Sequence, residues 1–479
     1  MVLRRRIAAT VPALAAMSLV VAACGSTGAK TAQAKTDTAG GANASQCNLS
    51  ALTKANHPVD ITFWESASGS ASDPHSGEHL MLQLVNQFNS SQSQVHVTDV
   101  NQQSYFDGTW TPYLNSLRNH TSPNILFFDD YQVQDAVDSG SFVPVASCVA
   151  ASKYSTSDFL PKSILQQSVS GTLWGMPYTG SGELMYYNQQ ALTKAGISGP
   201  PTTFAEMVAD AAKFKAAGYS DGISLNNDPS LLQQFDAIAG QYYVNNQNGR
   251  NGKRATAAAF DNPASLAFVN DVHQMVAAGT AKGYSATGAG TAGFDNLLAV
   301  GNGLSGLTFS PSGTLGTVEA VAAAYPKATF KVAPVPSVGG VNLGLPPEGQ
   351  SLYLPKSSSP AQLAASWVFL RYLVSATEMA TFDAGTGFVP VRTSAANQPV
   401  IKSLWAKTPA YKVAYDEVNQ GPANNATAGP LLGPVTQIDN DVANMLAQLD
   451  TNPAANPSAL LSQLSSQATG EMASYNSSN

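Results

Sequence analysis

Short apolar runs alternate with helical patterns over the first third of the chain, and this alternation limits the possible folds more than any other feature. Strand-like runs occupy 59–64, 94–100 and 124–128, and residues 78–89 and 131–138 have helical spacing. Alternating elements of this length predict an α/β fold, in which helices cover a sheet with parallel strands. Ligands bind beyond the carboxyl ends of such strands. One crevice is therefore expected beside Trp64–Ser66, Asn101–Tyr105 and Asp129–Asp130.

A second feature is the stretch Trp174–Asn188, in which two apolar runs are joined by the small residues Thr179–Gly182. Small residues absorb changes in φ and ψ, so this stretch fits a hinge between two lobes. An ordinary strand–loop–strand fits it as well. A second series of helical and strand patterns follows, and a strand at 350–354 returns to the pattern of the first block. This order predicts two lobes with several crossings.

The N-terminus has the features of a signal peptide. Arg4–Arg6 precede an apolar run from Ile7 to Val21, whose 15 residues are fewer than the ~20 that a spanning helix needs. Val21-Ala-Ala-Cys24 resembles the bacterial lipobox, in which the cysteine is acylated; a plain secretory signal with a chance cysteine is the alternative. We expect a lipoprotein signal peptide at 1–23, lipidation at Cys24, and a flexible tether at 24–47 between membrane and globule.

The cysteine count fits an oxidising compartment. Three cysteines minus Cys24 leave Cys47 and Cys148, for which we predict a disulfide. Two free buried thiols are the alternative.

Charge and motifs narrow the class of function. A net charge of −7, with 11% charged residues, leaves no basic stripe for nucleic acid. The chain has no GxSxG motif, P-loop or Cys–His constellation, so we expect no enzyme, cofactor or metal site. A secreted carbohydrate-active hydrolase remains the rival, because two carboxylates suffice for one: Asp129 or Asp130 with Glu65 or Glu183. A lipoprotein adhesin would not need a hinge.

Six sequence pieces in order carry a family resemblance: Ile61–Trp64, Leu84–Asn89, Leu173–Tyr178 with Tyr186–Asn188, Ala191–Gly196, Pro200–Glu206 and Gly385–Arg392. The chain resembles family 1 extracellular solute-binding proteins of ABC importers, similar to the maltose and glycerol-3-phosphate binding proteins. The resemblance implies a two-lobed clamp of type II, with hinge strands between lobe one (48–176 plus 350–392) and lobe two (177–349 plus 393–479). It also implies a monomer that delivers a small solute to permease subunits.

The resemblance also implies binding residues. Tyr105 and Asp130, with Asp129 beside it, match ligand contacts of the first lobe. Carboxylates suit polyols because they accept hydroxyl protons, although the Asp pair also fits a helix N-cap at Tyr131. The remaining matches are Ser181 (or Gly180), Ser310 or Ser312, and the backbone at Gly349–Gln350.

The ligand class depends on one departure from the family pattern. Phosphate-binding members carry an arginine in the loop that reads Gly429–Pro434 here, and this chain has none there. Phosphate would lose its bidentate partner, which favours a neutral carbohydrate or polyol. A glycerol-3-phosphate or glycerophosphodiester ligand is the alternative. Candidates for stacking on a sugar are Trp64, Trp110, Trp174, Tyr178 and Tyr242–Tyr243. Core packing is the favoured role for any single one of them, and Tyr178 is the preferred residue for stacking.

Overall fold

The computed structural model describes residues 42–74, 76–102, 109–285, 294–326 and 328–479. The strands are β1 Val59–Glu65, β2 Val95–Asn101, β3 Ile125–Asp129, β4 Phe142–Val143, β5 Ser168–Val169, β6 Thr172–Leu173, β7 Met176–Pro177, β8 Glu183–Asn188, β9 Ile223–Asn226, β10 Ala281–Tyr284, β11 Leu307–Pro311, β12 Phe330–Ala333 and β13 Gln350–Pro355. The helices are α1 Ser50–Thr53, α2 Gly77–Ser91, α3 Trp110–Asn119, α4 Val133–Asp138, α5 Val145–Ser152, α6 Pro161–Gln166, α7 Gln189–Lys194, α8 Phe204–Ala216, α9 Ser230–Ile238, α10 Asn245–Gly249, α11 Pro263–Ala277, α12 Asp295–Gly301, α13 Leu315–Ala324, α14 Pro360–Leu373, α15 Ala376–Thr386, α16 Thr393–Ala396, α17 Pro399–Lys407, α18 Ala410–Asn419, α19 Val435–Thr451 and α20 Pro457–Ser478. Short 3-10 helices span Ala44–Gln46, Asp130–Gln132 and Ser312–Thr314.

The first lobe is built on a six-stranded sheet in the order β2-β1-β3-β13-β4, with β7 also paired to β13. The parallel strands β1, β2 and β3 come from the alternating first block, as the sequence pattern predicts. In β1, Ile61, Phe63 and Glu65 point to the lobe-one core, because alternate residues of a strand face the same side. The returning strand β13 runs antiparallel to β3 and places Gln350 opposite Asp129.

The second lobe is built on β8, which lies between β11 and β12 in an antiparallel sheet, and on the parallel pair β9–β10. Its α8 begins at a capping box, in which Thr203 and Glu206 each accept the other's backbone N–H. The longest C-terminal helices, α19 and α20, pack into the same core through Val442, Leu449 and Leu464. The buried residues of this second core all follow residue 184 in the sequence.

Two segments that cross between the lobes are joined by backbone hydrogen bonds. The chain leaves the first sheet at Pro177 and enters β8 at Glu183. Gly180 exchanges two backbone hydrogen bonds with Val389, at 2.9 and 2.7 Å, and Ser181 exchanges two with Glu348. The predicted small-residue link is thus the segment that connects the two sheets.

The two largest hydrophobic cores match the two sheets. The first contains the disulfide between Cys47 and Cys148, the pair that the cysteine count predicts. Tyr178, Ala395 and Ile401 also pack in the first core, although the predicted boundaries at 177 and 393 assign them to lobe two. Within the described ranges, none of the helices combines the length and hydrophobicity that crossing a bilayer requires.

Candidate ligand-binding site

Two predicted serines meet where the chain crosses between lobes. The Oγ atoms of Ser181 and Ser312 lie 3.1 Å apart, and the backbone N–H of Gly313 donates to Ser181 Oγ at 3.3 Å. Both serines are buried. We call Gly180, Ser181, Ser312, Glu348 and Val389 the crossing network, because they connect the lobes by the bonds described here and above.

The other predicted serine and the Gly349–Gln350 backbone lie beside this network. Ser310 accepts a hydrogen bond from Thr314 Oγ1 at 3.1 Å. The backbone carbonyl of Gln350 accepts a hydrogen bond from the N–H of Thr179. In return, the N–H of Gln350 donates to Thr179 Oγ1 at 2.9 Å. Gly349 has φ +147, and a Cβ there would lie 2.2 Å from Thr179 O, so this close approach requires glycine.

Glu348 holds several parts of the site together, and the sequence did not single it out. Tyr131 donates its hydroxyl to Glu348 Oε1 at 2.6 Å, and Gln234 Nε2 donates to the same oxygen. Burial, together with the nearby carboxylate of Asp228, raises the pKa of Glu348 to about 8. Its position beside Gly349, a predicted backbone contact, is the one signal that pointed to it.

Three buried carboxyl side chains, those of Glu183, Asp228 and Glu348, form a group that we call the acidic cluster. Glu183 is 0% exposed, and neither of its carboxylate oxygens has a hydrogen-bond partner. Burial raises its pKa well above the ordinary value, and the charges of Asp228 and Glu348 add to this effect. Asp228 accepts the N–H of Ser230 at 2.9 Å, and burial raises its pKa as well.

The predicted aspartate pair lies at the edge of the same region. Asp129 ends β3 opposite Gln350, and its charge contributes to the raised pKa of Glu348. Asp129 Oδ1 also accepts the N–H of Tyr131 at 3.3 Å, which is the helix-capping role proposed as the alternative. Asp130 begins the 3-10 helix that follows.

A family model described as bacterial extracellular solute-binding protein matches residues 83–412, or more than half of the chain. The chain belongs to this family. A solute-binding protein of this family is the extracytoplasmic substrate-binding component of an ABC importer and is not an enzyme. The expected function class and the absence of catalysis are therefore correct.

Known relatives and solved structures resemble this solute-binding protein over most of its length. The sn-glycerol-3-phosphate-binding periplasmic protein UgpB of Yersinia pseudotuberculosis is 25% identical over 391 residues, which cover 79% of this chain and 85% of that protein. The GacH receptor of Streptomyces glaucescens, solved unliganded and with acarbose, matches with a TM-score of 0.69 at 20% identity over 86% of this chain and 98% of that one. UgpB from Mycobacterium tuberculosis, solved with glycerophosphocholine, matches with a TM-score of 0.69 at 18% identity over 87% and 99%. These structures confirm the predicted two-lobed α/β fold.

The predicted stacking role of Tyr178 in this solute-binding protein is wrong. Tyr178 is fully buried in the first core, where its ring packs against Phe127 and Phe382 at centroid distances of 5.5 and 5.3 Å. A sugar cannot reach a ring face that core side chains cover, so Tyr178 has the core-packing role. The apolar run at 173–178 does not reveal this, because it gives no sign of which lobe receives Tyr178.

The remaining predicted residues lie apart from the crossing network. Trp64, Trp110 and Trp174 each pack against the small core cluster around Tyr113 and Phe142, on the sheet face opposite Glu65. Glu65 is buried, and Ala67 N donates to one of its oxygens; burial and the nearby Asp99 raise its pKa to about 9. Tyr243 is buried in the second core, whereas Tyr242 is exposed. Tyr105 and Cys24 lie outside the described residues.

Arg250, which the sequence analysis did not consider, contacts the loop 429–434, which contains no arginine of its own. Arg250 follows α10, whose residues Asn246, Gln247 and Asn248 all have positive φ. Its guanidinium donates five hydrogen bonds, all of them to backbone carbonyls, at distances of 2.7–3.3 Å: Leu165, Gln166, Ser168, Ala428 and Gly429. A guanidinium has five N–H donors, so none remains for a phosphate.

Proposed function

We propose that this solute-binding protein captures a carbohydrate or polyol that carries no phosphate group and delivers it to the permease of its importer. The supporting observation is the acidic cluster beside the crossing network. Among the described residues, no Lys, Arg or His forms an ion pair with Glu183, Asp228 or Glu348. Hydroxyl groups donate hydrogen bonds to carboxyl oxygens, whereas a phosphate would find acidic groups there and no cation to pair with.

A second ligand class has one observation in its favour. The relative from Yersinia pseudotuberculosis bears the name of a glycerol-3-phosphate-binding protein. The Arg250 guanidinium donates to the backbone of Ala428 and Gly429, at the start of the loop where phosphate-binding members carry an arginine, but all its donors are engaged as described. For this reason glycerol 3-phosphate and glycerophosphodiesters rank second.

A thermal-shift screen of the purified protein tests this choice. The panel contains mono-, di- and trisaccharides, polyols, glycerol 3-phosphate and glycerophosphocholine. A ligand at 100 times its Kd adds about 2.7 kcal/mol to the free energy of unfolding, which raises the midpoint visibly. We expect a shift with a sugar or polyol. A shift with the phosphate compounds alone contradicts the proposal.

We further propose that the protein is a monomeric lipoprotein with signal peptide 1–23, acylated Cys24, tether 24–47 and two lobes close to the predicted ranges. Support comes from the lipobox-like Val21–Cys24 and from the extracytoplasmic family. In cell fractions, Cys24→Ala is expected to release the protein from the membrane, and Ser26→Ala is the matched control. Retention of the Cys24→Ala protein on the membrane contradicts the anchor, and a dimer by light scattering contradicts the monomer.

A further inference from the structure

We propose that the acidic cluster of Glu183, Asp228 and Glu348 is a subsite for a protonated amine, so that the ligand is a carbohydrate that carries a basic nitrogen. This inference rests on the proposed function and narrows it, because it places a positive charge on one part of the sugar.

The first observation is the convergence of three carboxyl groups from distant parts of the chain. Glu183 begins β8, Asp228 lies between β9 and α9, and Glu348 precedes β13. The Gln234 amide links them: its Nε2 donates to Glu348 Oε1, and its Oε1 accepts the backbone N–H of Glu183 at 3.4 Å. Gln234 Nε2 also donates at 2.9 Å to the hydroxyl of Ser230, whose backbone N–H bonds to Asp228. The hydrogen bonds that Asp228 and Glu348 accept come from uncharged donors, namely Ser230, Tyr131 and Gln234. The cluster therefore brings together three carboxyl groups with no cation of the described residues beside them to balance their charge when they ionise.

The second observation is that Glu183 is a fully buried acceptor without a donor. Its side chain is 0% exposed, and both carboxylate oxygens lack a hydrogen-bond partner. The Oδ1 atom of Asn226, which ends the strand leading to Asp228, is buried and lacks one too. Leaving such groups unpaired is costly, and more so for a carboxylate. An ammonium group offers three donors and the opposite charge, which matches this excess of acceptors.

The protein's own buried cations are engaged elsewhere. Lys162 donates to the backbone carbonyls of Leu345 and Val418 at 3.1 and 3.2 Å, and to that of Gln420. Arg250 has its five donors on other carbonyls. No group of three His, Cys, Asp or Glu in the described ranges has the arrangement to hold a metal ion. A ligand nitrogen is the remaining source of positive charge.

The test uses matched pairs of saccharides that differ in one substituent. Titration calorimetry compares glucose with glucosamine, galactose with galactosamine, and cellotriose with the chitosan trimer, and the N-acetylated trimer provides a neutral amide control. We expect at least one amine to bind about tenfold or more tightly than its neutral partner, since a charge-assisted contact is about twice as strong as a neutral one. Equal or weaker binding of every amine overturns the amine subsite.

Two variants connect that preference to the cluster. Glu183→Gln keeps the shape of the side chain and removes its charge, so it should reduce the amine preference about tenfold. Glu319→Gln, on the exposed side of α13, is the matched control and should leave the preference unchanged. An unfolding midpoint for each variant shows that it is folded. An unchanged preference in folded Glu183→Gln overturns the assignment.

The outcomes separate this inference from the proposed function. If neutral sugars in the thermal-shift panel bind and no amine is preferred, the amine subsite fails and the proposed function stands. If only phosphate compounds bind, both fail.

Discussion

Two of the places where the lobes meet differ in the kind of bond they use. In the crossing network, backbone groups bond to each other, as in the paired hydrogen bonds of Gly180 with Val389 and of Ser181 with Glu348. At the second place, which we call the α4 contact, side chains supply the bonds. Arg254 donates to both oxygens of Asp138 at 2.9 and 2.7 Å, and Tyr475 donates to Asp135 at 2.7 Å.

This difference indicates which bonds survive motion of the lobes. Backbone pairs between connecting segments persist while a few residues absorb the change in φ and ψ. The α4 contact joins α4 of the first lobe to α20 and Arg254 of the second, and the Arg254 side chain is 37% exposed. Water can replace its hydrogen bonds as it separates. We therefore expect opening to break the α4 contact and to keep the crossing network.

The largest expected effect comes from a third contact, in which the side chain of Arg250 bonds to both lobes and is expected to persist with the crossing network. Arg250→Met removes five hydrogen bonds to carbonyls of both lobes, and it should lower the free energy of unfolding by about 3–5 kcal/mol, because buried carbonyls lose a charged donor. Urea denaturation measures this loss. The matched control is Arg118→Met on exposed α3, with an expected change within about 0.5 kcal/mol. A similar small change for both variants would show that Arg250 does not hold the lobes together.

The second effect is a pH dependence at Glu348. The folded pKa is about 8 against an ordinary 4.5, so between these values the folded protein binds more protons than the unfolded chain. The free energy of unfolding of the ligand-free protein should fall as pH rises through this window, and the dependence on Glu348 should end above about pH 8. Asp228 and Asp129 are the carboxylates that face Glu348 and add to the shift.

Glu348→Gln isolates this contribution. It should reduce the fall between pH 5 and pH 7 by about 2–3 kcal/mol, since each pH unit inside the window corresponds to about 1.4 kcal/mol. Denaturation curves at several pH values provide the measurement, with Glu319→Gln as the control. A slope that Glu348→Gln leaves unchanged would mean that Glu348 is already ionised in the folded protein.

Local patterns were enough to place most elements of the fold. The apolar runs predicted β1, β3 and β13 to within about a residue. These elements follow from the pattern of neighbouring residues, which the chain carries locally. The pairing of Gln350 with Asp129 needed the family resemblance, because over 200 residues separate the two.

The chemistry of the site was harder to predict, because it depends on contacts between distant segments. Ser181 and Ser312 were found by resemblance, and the structure brings them together. Glu183 was considered only as one carboxylate of a hydrolase, and Asp228 and Glu348 were missed. A single acidic residue in a sequence is usually solvated, and its burial appears only when the surrounding segments fold over it. Arg250 escaped notice for the same reason, as 179 residues separate it from Gly429.

The smallest expected effect on stability is at the α4 contact. Variants there test directly whether this contact behaves differently from the crossing network. Asp138→Asn and Arg254→Met should each change the free energy of unfolding by about 1 kcal/mol, because water reaches the Arg254 side of the pair. A double-mutant cycle should give a coupling of about 0.5–1 kcal/mol.

The same variants should speed ligand release about two- to fivefold, since the α4 contact stabilises the closed arrangement of the lobes, whereas Arg250→Met acts on folding. Stopped-flow release with a ligand from the screen measures this. Unchanged release in both variants would mean that the α4 contact persists through opening, as the crossing network does.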